Sequence, residues 1–221
     1  VVLVGAGPGD PGLMTLAGRE ALARAEVVVH DFLVDSRVLA MAPAGAKRIY
    51  AGKRAGQHRF SQAWIHRILL AQARAGRRVV RLKGGDSFVF GRGGEEAEAC
   101  RAAGVPFRVV PGVTSGTAVP ACAGIPVTHR GLASAVAFVT AHEVREGKGQ
   151  DWALLARFPG TLVFFMGRKV LAGICRNLVR HGLAASTPAA VIRWGSLPEQ
   201  ETVSGTLATL PGLSRHLGTP A

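Results

Sequence analysis

Short apolar runs closed by Gly or Asp alternate along this chain with Ala- and Leu-rich stretches whose apolar residues recur every three or four positions. The runs predict strands over 1–4, 27–30, 48–50, 79–82 and 108–110. The intervening stretches predict helices over 13–25, 62–75 and 95–103, the last two stopping at Gly76 and Gly104, where a left-handed cap is expected. Such alternation is the signature of an α/β fold with mostly parallel sheets. After Val110 the segment PGVTSGTAVPACAGIP is dense in Gly, Pro and small residues, which places a domain boundary there. Residues 1–111 then form an N-terminal α/β domain and 112–221 a C-terminal one. In the latter, strands are expected over 135–140, 161–166 and 189–194, with another near 201–203 that can run antiparallel. Residues 146–150 read as an exposed loop, and no pattern is visible beyond Leu210.

Composition narrows the class. With 48% hydrophobic and 19% charged residues over 221 positions, the chain can build its own core. Cys100, Cys122 and Cys175 are far apart and never in a CxxC pair, so neither a disulfide framework nor a thiolate zinc site is expected. No apolar run approaches the roughly 18 residues that span a bilayer. Val1 opens directly into a strand-like segment without a basic leader, so a cytoplasmic protein with no membrane partner is expected. The 27 Lys and Arg against 14 Asp and Glu give a net charge of +13. That excess favours a polyanionic partner: nucleic acid, anionic lipid or a small molecule with many carboxylates. Charge alone does not choose among them, and a solvated basic surface remains the alternative.

Chemistry is concentrated where strands end. Gly5-Ala6-Gly7-Pro8-Gly9-Asp10-Pro11-Gly12 lies between a strand and a helix and lets backbone approach a ligand, but Asp10 and the prolines spoil a dinucleotide fingerprint. Asp31 ends the second strand, where open α/β sheets present ligand-contacting groups; a helix N-cap or a ribose contact are its other readings. Lys53 and Arg54 follow the third strand in a loop that fails as a Walker motif and suits carboxylates, or simply solvent. The glycine-rich run from Arg81 to Gly94 after the fourth strand holds backbone close to something flat or bulky. Thr114 and Ser115 either cap a helix or offer hydroxyls to a ligand. No HExxH, GxSxG or His/Cys spacing is present, so neither a metal nor a Ser-His-Asp triad is expected.

Taken in order, the GxGPGDP loop, the Asp31-Phe32-Leu33-Val34 segment, the GGD loop and the PGVTS segment resemble the tetrapyrrole methylase family. GKRAGQH, VRLKGGDSFVFGRGGEE and AGIPVTHR are similar to the members that act on uroporphyrinogen III, and the likeness runs from Val1 to about Leu207. It implies two α/β domains with S-adenosylmethionine (SAM) in the cleft between them. The implied SAM contacts are Pro8, Gly84, Gly85, Asp86, Val89, Thr114, Ser115, Met166 and Gly195. Asp31 and Lys53 fall where the family places a proton acceptor and donor. The family usually has Tyr, Pro, Tyr and Thr where this chain has His30, Ser87, Cys122 and Ser196, and usually continues into a last apolar strand beyond the region of His216.

The implied activity is methylation of uroporphyrinogen III at carbons 2 and 7, giving precorrin-1 and then precorrin-2 for sirohaem or cobalamin, with S-adenosylhomocysteine as coproduct. In-line displacement at a sulfonium needs alignment rather than a metal. A substrate with eight carboxylates calls for cations, and Arg54, Arg81, Arg92 and Arg130 are the candidates. The resemblance also implies a homodimer that binds no nucleic acid. The competing readings are a methylase acting on a later precorrin, a basic RNA-binding methylase, and a nucleotide-binding module without catalysis.

Overall fold

The structure, a computed structural model, describes residues 1–52, 61–141 and 149–219. The chain groups into two compact units, Val1–Ser115 and Gly116–Ala221. In the first, β1 (Val2–Gly5), β2 (Val27–His30), β3 (Lys47–Tyr50), β4 (Val79–Lys83) and β5 (Arg108–Val110) form one sheet in the order β3-β2-β4-β1-β5. Every pairing is parallel. Parallel strands are covered on both faces, which is why they read as unbroken apolar runs. Val4, Val28 and Leu82 pack with Leu22 and Val38 in one cluster; Val27, Val29 and Val79 pack with Ile65 and Leu69 in another. Each such side chain contributes roughly 1.5–3 kcal/mol on burial.

The helices beside this sheet are α1 (Leu16–Ala23), α2 (Ser36–Leu39), α3 (Gln62–Arg74) and α4 (Gly93–Ala102). The helix expected over 13–25 is shorter than its periodicity. Asp10 accepts from Gly12 N at 2.8 Å and starts a separate 3-10 turn, Pro11–Leu13. α1 begins only after Thr15, whose hydroxyl accepts from Gly18 N at 3.1 Å. α3 follows expectation, capped by Ser61 and followed by Gly76 at φ 75°. α4 starts two residues earlier than predicted because Arg92, at φ 59°, turns the chain into it.

In the second unit, β6 (Val136–Thr140) and β7 (Thr161–Phe165) pair in parallel, while β8 (Pro188–Arg193) and β9 (Glu201–Thr206) pair antiparallel. α5 (Ser115–Cys122) opens this half, followed by α6 (Trp152–Ala156), α7 (Leu171–Arg180) and α8 (Leu210–Leu213). α7 buries Ile174, Cys175 and Leu178 in a cluster that includes Leu162, Phe164 and Leu207. The patternless tail is also held in place as far as Leu217. Arg168 donates to the carbonyls of Ser214, Arg215 and Leu217 at 2.7, 3.0 and 2.8 Å, satisfying acceptors that the end of α8 leaves open. Leu210 and Leu217 then bury beside Val191. Cys100 and Cys175 are buried free thiols, pushed up in pKa by that burial. No helix among the described residues is long and apolar enough to cross a membrane.

Candidate active site

The loops after β1, β4 and β5 meet backbone to backbone at the carboxyl edge of the five-stranded sheet. Ala6 N donates to Lys83 O at 2.7 Å, and Gly7 and Gly85 exchange hydrogen bonds of 3.2 and 2.7 Å. Such closeness requires glycine. A Cβ on Gly5 would lie 2.5 Å from Gly112 Cα, and one on Gly112 would collide with Gly85 O. Asp86 fastens this floor: Oδ1 accepts from Phe88 N at 2.7 Å and Oδ2 from Gly112 N at 2.9 Å. Its carboxylate is therefore engaged with backbone of its own unit. Beside Gly85, at φ 64°, a Cβ would meet only Ser115 N within 4 Å, at 3.7 Å, so the edge is open next to Thr114 and Ser115.

A charged cluster lies next to this floor. β4 places Arg81 and Lys83 two residues apart, so both side chains project to the same face. Arg81 donates to Asp31 Oδ1 at 2.5 Å and to Glu96 Oε1 at 3.0 Å. Lys83 reaches Asp31 Oδ2 at 3.4 Å and the same Glu96 oxygen at 3.2 Å. Gln62 adds a third donor to Glu96 Oε1, at 3.3 Å. The Arg81 and Glu96 side chains are 1% and 0% exposed and Lys83 5%, whereas Asp31 is 28% exposed. Asp31 is thus the member that meets solvent. The neighbouring carboxylates hold the Arg81 guanidinium above its usual range, although burial, the largest influence, opposes them. Burial pushes the adjacent His30 imidazole down, outweighing the Asp31 carbonyl and carboxylate that draw it up.

These contacts redistribute the expected roles. Asp31 does not cap a helix, since Asp35 caps α2. Arg81, expected to meet substrate carboxylates, is buried with its guanidinium committed to Asp31, Glu96 and backbone carbonyls, and presents no surface to a ligand. Arg92 is half exposed and forms a two-pronged pair with Glu95, both contacts 2.7 Å. Arg130 is exposed. Lys53 and Arg54 lie outside the described residues. Pro8, Gly84, Val89, Thr114 and Ser115 are half-buried. Within four residues after Asp31 and Asp86 in the chain, Phe32, Leu33, Phe88 and Phe90 are left exposed.

In the second unit, Met166 is exposed at φ 59°, at the end of β7. Gly195 is buried between Trp194 and Ser196, at φ 50° and 71°, and a Cβ there would lie 2.6 Å from Val119 Cγ2. Non-glycine residues in the left-handed region cost energy and gather at ligand-binding positions. Sequence reasoning passed over Glu96 and the role of Lys83. The available signal was two cations in an otherwise apolar central strand, which demand buried counter-charges close by.

The family model described as Tetrapyrrole (Corrin/Porphyrin) Methylases matches residues 1–211. The chain belongs to the tetrapyrrole methylase family. A SAM-dependent uroporphyrinogen III methyltransferase of Methanosarcina barkeri is 50% identical over 218 residues, covering 98% of this chain and 86% of that protein. A siroheme synthase of Zymomonas mobilis is 48% identical over all 221 residues, which make up 47% of its own length. The chain thus spans about half the length of the siroheme synthases that it matches. Among solved structures, a uroporphyrin-III C-methyltransferase of Thermus thermophilus complexed with S-adenosylhomocysteine is 43% identical with a TM-score of 0.84, covering 99% of this chain and 88% of that one. The α/β architecture with its mostly parallel sheet is therefore this family's fold.

Proposed function

We propose that this tetrapyrrole methylase is a SAM-dependent C-methyltransferase that converts uroporphyrinogen III to precorrin-1 and then precorrin-2 by methylation at carbons 2 and 7. The observation that carries the reading is the likeness, over nearly the whole of both chains, to a methyltransferase of that substrate and to a structure holding S-adenosylhomocysteine. SAM supplies an electrophilic methyl group when bound. The glycine floor offers backbone amides, and Pro8, Thr114 and Ser115 are the contacts assigned beside it. Met166 and Gly195 are the contacts assigned to the second unit. The substrate's ring carbon is the nucleophile: a carbon–carbon bond forms, the sulfur–carbon bond breaks, and S-adenosylhomocysteine leaves. The methylated ring then loses a proton, which Asp31, the solvent-reaching carboxylate of the cluster, accepts. Arg92 and Arg130 are the exposed cations assigned to the substrate's carboxylates.

Incubation with SAM and uroporphyrinogen III tests this reading by the product's mass. A gain of one and then two methyl groups is expected, and no gain from protein that binds SAM would remove it. Raised salt should increase KM for the tetrapyrrole far more than for SAM, because only the former relies on several ion contacts.

A further inference from the structure

Three of the four ions in the cluster are sealed from solvent, and their arrangement serves the fourth. Arg81 grips one oxygen of Asp31 and Lys83 the other, so the plane of that carboxylate is set from two points. Both cations are in turn held by one atom, Glu96 Oε1, in the first turn of α4. Arg81 is further tied to the carbonyls of Val29 and Leu82 at 3.3 and 3.4 Å. Without Glu96 the two buried cations would face Asp31 alone, leaving a net positive charge in the interior and a carboxylate bound more tightly to its partners. With it the cluster is neutral.

Stability does not account for this arrangement, because buried ion clusters are commonly matched by well-packed apolar residues. What apolar residues do not supply is a fixed orientation for a carboxylate at the surface. We propose that Glu96 is a positioning residue for methyl transfer, acting through Arg81 and Lys83 to hold Asp31 oriented and reactive. The inference rests on the reading of Asp31 as proton acceptor. Among the described residues, other polar groups near the cluster include His30 beside Asp31, the Tyr50 ring against His30 with centroids 5.6 Å apart, His66, which contacts Gln62 at 3.1 Å, Glu95 near Lys83 and Arg48 near His30.

The test is a double-mutant cycle on the single-turnover rate of methyl transfer from SAM to uroporphyrinogen III, with SAM dissociation constants measured alongside. Glu96→Gln is expected to slow turnover roughly ten- to a hundredfold with SAM affinity within about twofold, the scale of a misplaced catalytic group. Glu96→Asp, which keeps the charge, should recover part of that loss. In an Asp31→Asn background, Glu96→Gln should slow the reaction no further. A wild-type rate in folded Glu96→Gln, or losses that multiply in the double variant, would overturn the inference while leaving Asp31 as acceptor. A wild-type rate in Asp31→Asn would remove the acceptor reading itself. Should Glu96→Gln fail to fold, Lys83→Met/Glu96→Gln, which keeps the cluster neutral, takes its place in the cycle. A slowed rate that adds no further loss in an Asp31→Asn background then supports the inference, and a wild-type rate or multiplying losses overturn it.

Discussion

The two units bury different things. Among the described residues, the first encloses Arg81, Lys83 and Glu96 beside its apolar clusters, whereas the only polar side chain fully buried in the second is Ser214. Where the second unit uses an arginine structurally, Arg168, its guanidinium binds backbone carbonyls and ends there. Where the first uses one, Arg81 joins the buried Glu96 directly to the partly exposed Asp31. A hydrogen-bonded arginine that only ties chain to chain can sit anywhere a helix ends. Ions sealed inside a central strand carry a heavy desolvation cost, and among the described residues such buried ions occur only beside the sheet edge that presents Asp31.

Substitutions can break this contrast at graded strength. Arg81→Met should be the most damaging, costing about 3–5 kcal/mol, because it strands Glu96 without one of its cations. Chemical denaturation will measure it, and Arg81→Met/Glu96→Leu should recover stability without recovering turnover. Gly112→Ala should cost about 3 kcal/mol, near the upper end for overpacking, and weaken SAM binding, since its methyl group collides with the Gly85 carbonyl. Arg168→Ala should cost less, about 1.5–3 kcal/mol for charge-assisted bonds, and leave the methylation rate of the folded enzyme unchanged. Hydrogen exchange should show the loss confined to α8 and the residues after it.

Smaller effects sharpen the same contrast through pH. The folded-state pKa of His30 is depressed, so as pH falls through about 6.5 the unfolded chain takes up a proton that the folded chain refuses. Stability should therefore decline below that pH until the folded value is reached, and then level off. His30→Tyr should abolish this decline in a series of melting curves. At the weak end, Arg37→Ala removes an exposed partner of Asp35 and should cost under about 1 kcal/mol. Arg37 holds the Asp35 carboxyl below its usual range, so this contribution is present above pH ~4 and fades as pH falls through the lowered value.

Much of the fold was legible because parallel strands buried on both faces leave unbroken apolar runs, as in Val27–His30 and Val79–Lys83. Short helices such as Ser36–Leu39 and Leu210–Leu213 were not, since four residues cannot display a period and their stability comes from caps and from a distant Arg168. At the site, the glycine loops announced themselves by composition. Arg81 was misjudged because a cation on a loop-proximal strand looks like a ligand contact until its neighbours are known. Only the register of β2 with β4, which sets Val29 beside Arg81 and brings Asp31 within reach, shows that the guanidinium faces inward.

Single-turnover methylation of uroporphyrinogen III by the wild type and Asp31→Asn, followed by product mass with SAM affinity determined for both, tests the central claim most directly. The account predicts methylated product from the wild type, equal SAM binding, and a rate roughly a hundred- to ten-thousandfold lower for Asp31→Asn, the span of general base catalysis. Equal rates for the two proteins, or unmethylated tetrapyrrole from SAM-bound wild type, would contradict it.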